Sequence, residues 1–166
     1  YKMHNISLRF FNAYGLRSSI KGAYGSVFGI FLAQKLAGKP LTIVGDGNQT
    51  RDFIYISDLV NAIIKSAEKG KSTEIYNVGS GRETSINLIA KLIGGDKLNI
   101  PKRPDETERS LAQITKIKSE IDWEPIISIE EGIKIMLKNI NDWKTAKVWT
   151  LEKIKKETEN WFKYLK

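Results

Sequence analysis

The sequence predicts an α/β fold with some α+β character, and three observations carry that prediction. Apolar runs of strand length, such as "ISLRF", "LTIV" and "EIYNV", alternate with longer stretches whose apolar residues recur at helical spacing. Glycine-rich turns, "GDGNQ", "GSG" and "GG", mark the changes from one period to the other. A chain of 166 residues, 41% hydrophobic and 28% charged, is large and apolar enough to bury a core.

The elements follow in order. "ISLRFFNAYG" alternates Ile6, Leu8 and Phe10 and reads as one strand ending in a loop. "GSVFGIFLAQKLAGKP" is a helix with Phe28, Phe31, Leu32 and Leu36 on one side, ended by Gly38 and Pro40. "LTIVG" and "DFIYI" are short strands around the turn "GDGNQ". Ser57 is the expected cap of a helix whose core stripe is Leu59, Val60, Ile63, Ile64 and Ala67. "EIYNVGSG" is a buried strand; Ser85 then opens a helix with Ile86, Ile89 and Ile93 inward, stopped by Gly94-Gly95. "KLNIP" is a strand and "ITKIKSEIDW" a short helix. Ser128 and Glu131 form a capping box ahead of a stripe of Ile129, Ile133, Met136, Leu137 and Ile140. Thr150 caps a last helix with Leu151, Ile154, Trp161, Phe162 and Leu165 at helical spacing.

Composition removes several classes of function. There is no cysteine, hence no disulfide or thiolate metal site. A single histidine, His4, argues against a His-rich metal site or a Ser-His-Asp triad. No apolar run approaches the roughly 20 residues of a membrane span, and no signal peptide is present, so the expected location is the cytoplasm. The net charge of +8, from 27 Lys and Arg against 19 Asp and Glu, favours anionic partners. Nucleotide phosphates and nucleic acid both qualify on charge, but there is neither a nucleic-acid motif nor a dense basic run. The chain begins with Tyr1-Lys2 rather than Met, and is expected to be a piece of a longer protein.

Three stretches carry candidate chemistry. In "VGDGNQTRDFIYISD" a glycine-rich turn delivers Arg51 onto a strand end. In "PKRPDETERS" prolines stiffen a loop that presents Arg103, with Glu106 close behind. A guanidinium fork on a stiff loop suits phosphate oxygens, although a charged surface loop would look the same. "VGSGRETS" could hold a phosphate at a helix N-terminus, but it lacks the G-x-G-x-x-G spacing and reads mainly as a strand-to-helix turn.

These segments together resemble the C-terminal half of the extended short-chain dehydrogenases/reductases, in the NAD-dependent epimerase/dehydratase family, close to UDP-glucose 4-epimerase-like enzymes. "LRFFNAYG", "GDGNQTRDFIYISD", "IYNVGSGRETSI", "RPDE" and "IDWEPIISIEEGI" follow the family's motifs in order, from about Leu8 to Ile140. The resemblance implies the C-terminal part of an extended Rossmann-type fold, with mixed small sheets and several helices. The cofactor fingerprint G-x-G-x-x-G and the catalytic Y-x-x-x-K belong before "LRFFNAYG" and are absent, so the N-terminal dinucleotide-binding part is expected to be missing and the chain alone inactive.

The resemblance further implies roles for named residues. The backbone at Phe11 lies on the nicotinamide side of NAD. Asn12 contacts the substrate diphosphate, which Arg51 and Arg103 hold. Val27 and Phe28 border the nucleotide, and Val44 lies beside the base. Phe53 follows Arg51 where the family often has an aromatic, and Glu106 accepts from ribose hydroxyls. Residues 1–141 are then a nucleotide-sugar-binding region and 142–166 a linker and amphipathic helix. The implied partners are a nucleotide-diphosphate sugar, NAD, the missing Rossmann half and a second copy of the parent. In the implied reaction a sugar carbon gives hydride to NAD while a tyrosine takes the hydroxyl proton. An epimerase must let the sugar turn, so binding free energy has to come from the remote nucleotide diphosphate. A dehydratase or decarboxylase of the same family, a non-catalytic scaffold and a nucleic-acid-binding module are the alternatives.

Overall fold

The computed structural model describes residues 3–18, 26–102, 104 and 106–164. Seven strands occur among them: β1 Ser7–Phe10, β2 Asn12–Tyr14, β3 Leu41–Val44, β4 Thr50–Tyr55, β5 Ile75–Val78, β6 Glu83–Ser85 and β7 Lys97–Ile100. The helices are α1 Val27–Leu36, α2 Ile56–Lys69, α3 Ile86–Ile93, α4 Thr115–Ile121, α5 Ile129–Lys138 and α6 Leu151–Tyr164, with a 3-10 turn at Ile140–Trp143. This is the mixed α/β fold with small sheets that the sequence predicts. Arg103, Asp105 and Leu165 lie outside the described residues, as do the side chains of Trp161 and Phe162. Among the described residues no helix is long and apolar enough to cross a membrane.

The chain divides into two compact units that interleave in sequence. The first comprises Tyr1–Gly15, Arg51–Thr84 and Ser110–Gly132. In it β1 pairs with β5 in parallel, Leu8 opposite Tyr76 and Phe10 opposite Val78. Strands β2, β4 and β6 form a second sheet in that order, with β2 parallel to β4. The single strand expected over "ISLRFFNAY" is thus two strands that break at Phe11 and join different sheets, and β6 was not foreseen. The core gathers Ile54, Leu59, Ala62, Tyr76, Val78, Ile117, Ile121 and Trp123. Buried polar groups tie its edges. The Asp58 carboxylate accepts from the main-chain N–H of Ile126 at 3.0 Å and Ile127 at 2.8 Å. The indole N–H of Trp123 donates to the Asp58 carbonyl at 3.2 Å, and the Tyr76 hydroxyl donates to Glu120 at 2.9 Å.

Helix α2 corrects two expectations. It starts at Ile56 after Tyr55, without a side-chain cap, so Ser57 lies inside its first turn. Its buried residues are Asp58, Leu59, Ala62 and Ser66, whereas Val60, Ile63 and Ile64 are 46%, 41% and 50% exposed. Ala67 is exposed as well. Small Ala62 and Ser66 let the helix backbone approach a core already filled by Tyr76 and Trp123. The bulkier row, which fits the helical period equally well, is left on the other side.

The second unit comprises Leu16–Thr50, Ser85–Arg109 and Ile133–Lys166. Here β3 pairs with β7 in parallel, from Leu41 opposite Lys97 to Val44 opposite Ile100. Phe28, Phe31 and Leu32 of α1 are buried in this unit, with Leu41, Ile43, Ile89 and Trp143. Both ends of buried Gln34 are hydrogen-bonded: its amide donates to the Thr42 hydroxyl at 2.8 Å and the Trp149 carbonyl at 2.9 Å, and its oxygen accepts from Thr42 N–H at 3.1 Å. The expected caps form at Ser85, whose hydroxyl accepts from Leu88 N–H at 3.1 Å, and at Thr150, which accepts from Lys153 N–H at 3.5 Å. In the first unit Ser128 accepts from Glu131 N–H at 3.1 Å.

The Val60, Ile63 and Ile64 row, with Phe10 half exposed, is an apolar surface of the kind that drives association. The isolated chain is expected to bind an apolar dye and to self-associate. A Val60→Lys, Ile64→Glu double variant should lose both properties while its urea midpoint moves by no more than about 0.5 kcal/mol equivalent per site, the usual scale for surface changes. A wild-type chain that stays monomeric and dye-silent would contradict this.

Candidate functional site

In the first unit the candidate residues are set by the pairing of β2 with β4. Asn12 is opposite Phe53 and Tyr14 is opposite Tyr55. Because side chains alternate along a strand, Arg51, Phe53 and Tyr55 share one sheet face with Asn12 and Tyr14. Tyr14 packs edge-on against Phe53, with ring centroids 6.4 Å apart, and against Tyr55 at 5.3 Å. The Asn12 side-chain amide donates to the Asp52 carbonyl at 2.9 Å, which fixes its orientation beside Arg51's strand. Burial pushes the Tyr14 phenol well above its ordinary pKa, with the charges of Tyr55, Asp58, Glu130 and Glu131 adding to the effect. Burial raises Tyr55 too. Both phenols therefore stay neutral across the physiological range, and Arg51 supplies the positive charge among these five residues.

On the opposite face of β4 lies a residue that sequence reasoning missed. Asp52 is fully buried. One carboxylate oxygen accepts from the Ser80 N–H at 2.6 Å and the Ser80 hydroxyl at 2.9 Å. The other accepts from Gly81 N–H at 2.9 Å and Ala112 N–H at 3.1 Å. Thus the amides of the Gly79-Ser80-Gly81 turn are turned inward onto the protein's own carboxylate. A Cβ on Gly79 would meet the Ala112 methyl at 2.4 Å and Asp52 at 2.9 Å, so the close approach itself requires glycine.

In the second unit a small surface recess lies at the carboxyl ends of β3 and β7. Ligands of parallel sheets commonly bind at such ends. Val44, Gly45, Asp46 and Gln49 form one wall, and Lys102, Glu106 and Glu108 the other. Two predicted residues, Val44 beside a base and Glu106 beside a ribose, are thereby brought to one pocket. Lys102 is ion-paired with Glu108, a hydrogen bond that raises its pKa. The Asn48 main-chain N–H, 2.9 Å from Asp46, leads the contacts that lower the Asp46 carboxyl. Val27 is partly exposed at the first turn of α1, whereas the Phe28 side chain is core. Gln49, Lys102 and Glu108 were not anticipated; their signal was proximity in sequence to the glycine turn and the proline loop.

The strand pairs β1–β5, β2–β4 and β3–β7 are all parallel, within a mixed α/β fold. The comparisons make this specific. Residues 1–79 match the model of the NAD dependent epimerase/dehydratase family. The chain is 39% identical over 133 residues to a putative UDP-glucose 4-epimerase of Methanocaldococcus jannaschii, covering 76% of this chain and 42% of that protein. It is 36% identical over 137 residues to UDP-glucuronic acid decarboxylase 2 of Arabidopsis thaliana, covering 79% and 30%. The crystal structure of UDP-glucose 4-epimerase from Thermotoga maritima with UDP-glucose matches with a TM-score of 0.76 at 34% identity, covering 82% of this chain and 45% of that one. The chain belongs to the NAD-dependent epimerase/dehydratase family and spans less than half the length of these relatives.

NAD is the family's cofactor. Phe11, the residue expected on the nicotinamide side, stands just past the carboxyl end of β1 with its N–H donated to the Val78 carbonyl at 3.0 Å, so its backbone is held in place. The glycine turn at 79–81 does not fit the cofactor's pyrophosphate, because Asp52 already occupies its amides.

The Asp52 contacts yield a direct prediction. Asp52→Asn removes the charge from four donors, and hydrogen bonds to charged groups are worth about 1.5–3 kcal/mol each without full additivity. The variant should lose about 3 kcal/mol or more in urea unfolding. A loss below about 1 kcal/mol would show that the carboxylate is not the anchor.

Proposed function

We propose that this chain is the nucleotide-sugar-binding part of an NAD-dependent epimerase that acts on a UDP-sugar. The observation that carries the reading is the strand register that puts Asn12 opposite Phe53 and so on the same face of the β2–β4 sheet as Arg51, one an oriented amide and the other a cation. Those groups suit a diphosphate, with Arg103 as the second cation. Val44 and Glu106, on one pocket of the second unit, suit a base and a ribose. Val27 borders the ligand through its partly exposed side chain, and Phe28 and Phe53, whose side chains are buried, through their backbones.

Bound NAD supplies the hydride acceptor and donor. This chain's residues hold the far end of the substrate, which leaves the sugar free to present either face. On this reading residues 1–141 carry the binding role, 142–166 form the linker and amphipathic helix, and a dinucleotide-binding half completes the enzyme as a cytoplasmic homodimer. The chain alone should not interconvert UDP-glucose and UDP-galactose with added NAD. A second reading, part of a UDP-sugar decarboxylase, is favoured by the Arabidopsis relative. It assigns the same residues to the same nucleotide and differs only at the sugar.

Calorimetry of UDP and uridine tests the diphosphate assignment. Arg51→Ala and Arg103→Ala should each weaken UDP by about 1.5–3 kcal/mol, roughly tenfold to more than a hundredfold. Uridine, which has no phosphate, should bind both variants as it binds wild type. If both variants bind UDP like wild type, these arginines are surface residues.

A further inference from the structure

The pocket of the second unit is built on a turn, and the turn is held from outside. Three successive main-chain carbonyls each accept from a side-chain amide, one from the end of the turn itself and two from other elements. Gln49 donates to the Val44 carbonyl at 2.9 Å, Asn99 to the Gly45 carbonyl at 2.6 Å, and Asn87 to the Asp46 carbonyl at 2.9 Å. Asn87 also gives its second amide hydrogen to Asn48 at 3.1 Å and its main-chain N–H to the Gly47 carbonyl at 3.0 Å. Gln49 lines the pocket; Asn87, on α3, and Asn99, on β7, do not.

Local sterics do not fix this turn. Gly45 and Gly47 have φ of +62° and +76°, and glycine adopts positive and negative φ about equally well. Within the turn Asp46 accepts from the Asn48 main-chain N–H at 2.9 Å and side-chain amide at 2.8 Å, and the carbonyls of Gly45 and Asp46 are held by partners on other elements. The fit is close: a Cβ on Gly47 would lie 2.5 Å from the Asn87 side-chain oxygen and 2.7 Å from Ile43. The Asn99 side chain is exposed and could equally point into water, and exposed hydrogen bonds add little to global stability. The consequence of these two bonds is therefore the placement of Val44, Gly45 and Asp46, which form most of one pocket wall.

We propose that Asn87 and Asn99 are positioning residues that fix the pocket wall for the nucleoside end of the ligand. This rests on the reading of the pocket as a nucleoside site. Neither residue touches the ligand; each acts through one carbonyl of the turn.

The test is NMR titration of the 15N-labelled chain, wild type, Asn87→Ala and Asn99→Ala, with uridine and separately with inorganic pyrophosphate, alongside urea unfolding. Each variant should weaken uridine about tenfold, the scale of one hydrogen bond. Pyrophosphate affinity and the unfolding midpoint should stay as in wild type. Unchanged uridine affinity in both variants would overturn the proposal. So would a parallel loss of uridine, pyrophosphate and stability, which would mark a merely structural role. If wild type binds pyrophosphate but not uridine, the pocket is not a nucleoside site and the proposal falls with that assignment. If wild type binds neither, the proposed function itself fails.

Discussion

The Asp52 carboxylate is the constraint around which the first unit is organised. It is fully buried and satisfied by four donors drawn from the turn after β5 and from the segment that leads into α4. An ionised carboxylate out of water is tolerable only when its lone pairs are filled this way. Once they are, the geometry is narrow: β4 must lie against the glycine turn, and the turn must have no side chain at Gly79. The same residue's carbonyl then receives the Asn12 amide, so β2 is registered on β4 by the residue that anchors β4 to the core.

Function follows from strand alternation about that anchor. Asp52 and Ile54 point inward, and Arg51 and Phe53 are therefore delivered to the opposite face with Asn12. A strand with one face bonded to the core holds a guanidinium more firmly than a surface loop would, and a firmly held cation loses less entropy on gripping a phosphate. The glycine-rich turn, which in other α/β proteins cradles a ligand's phosphate, here cradles an internal carboxylate. On the proposed function, anion recognition falls to the side chains of Asn12 and Arg51 and not to these amides. The second unit repeats the theme in neutral form, with amides of Gln49, Asn87 and Asn99 satisfying three successive carbonyls of a turn.

Much of this was legible in the sequence, and the misses have physical causes. The strand runs and the Ser85 and Thr150 caps were readable because local chemistry alone decides them. Val44 and Glu106 were singled out by family motif, and both line one pocket. Asp52 was not legible: an acid beside an arginine in "RDF" reads as half of a surface ion pair, and its donors lie 28 to 60 residues away. The α2 stripe failed because two rows of the helix share the same period. Leu59, Ala62 and Ser66 are buried rather than Val60, Ile63 and Ile64, a choice made by the volume of Tyr76 and Trp123 that no local pattern reports. The break at Phe11 was hidden because an unbroken apolar alternation says nothing about which sheet each half joins.

Phosphate recognition by side chains on the β2–β4 face, with the glycine turn filled from within, can be tested in one titration. The chain, labelled with 15N, is titrated with UDP while the Asn12 side-chain amide, the Arg51 guanidinium, and the Ser80 and Gly81 main-chain amides are followed together. The account predicts saturable shifts of Asn12 and Arg51, with Ser80 and Gly81 unmoved because Asp52 already holds them. Shifts of Ser80 and Gly81 while Asn12 and Arg51 stay still would contradict it.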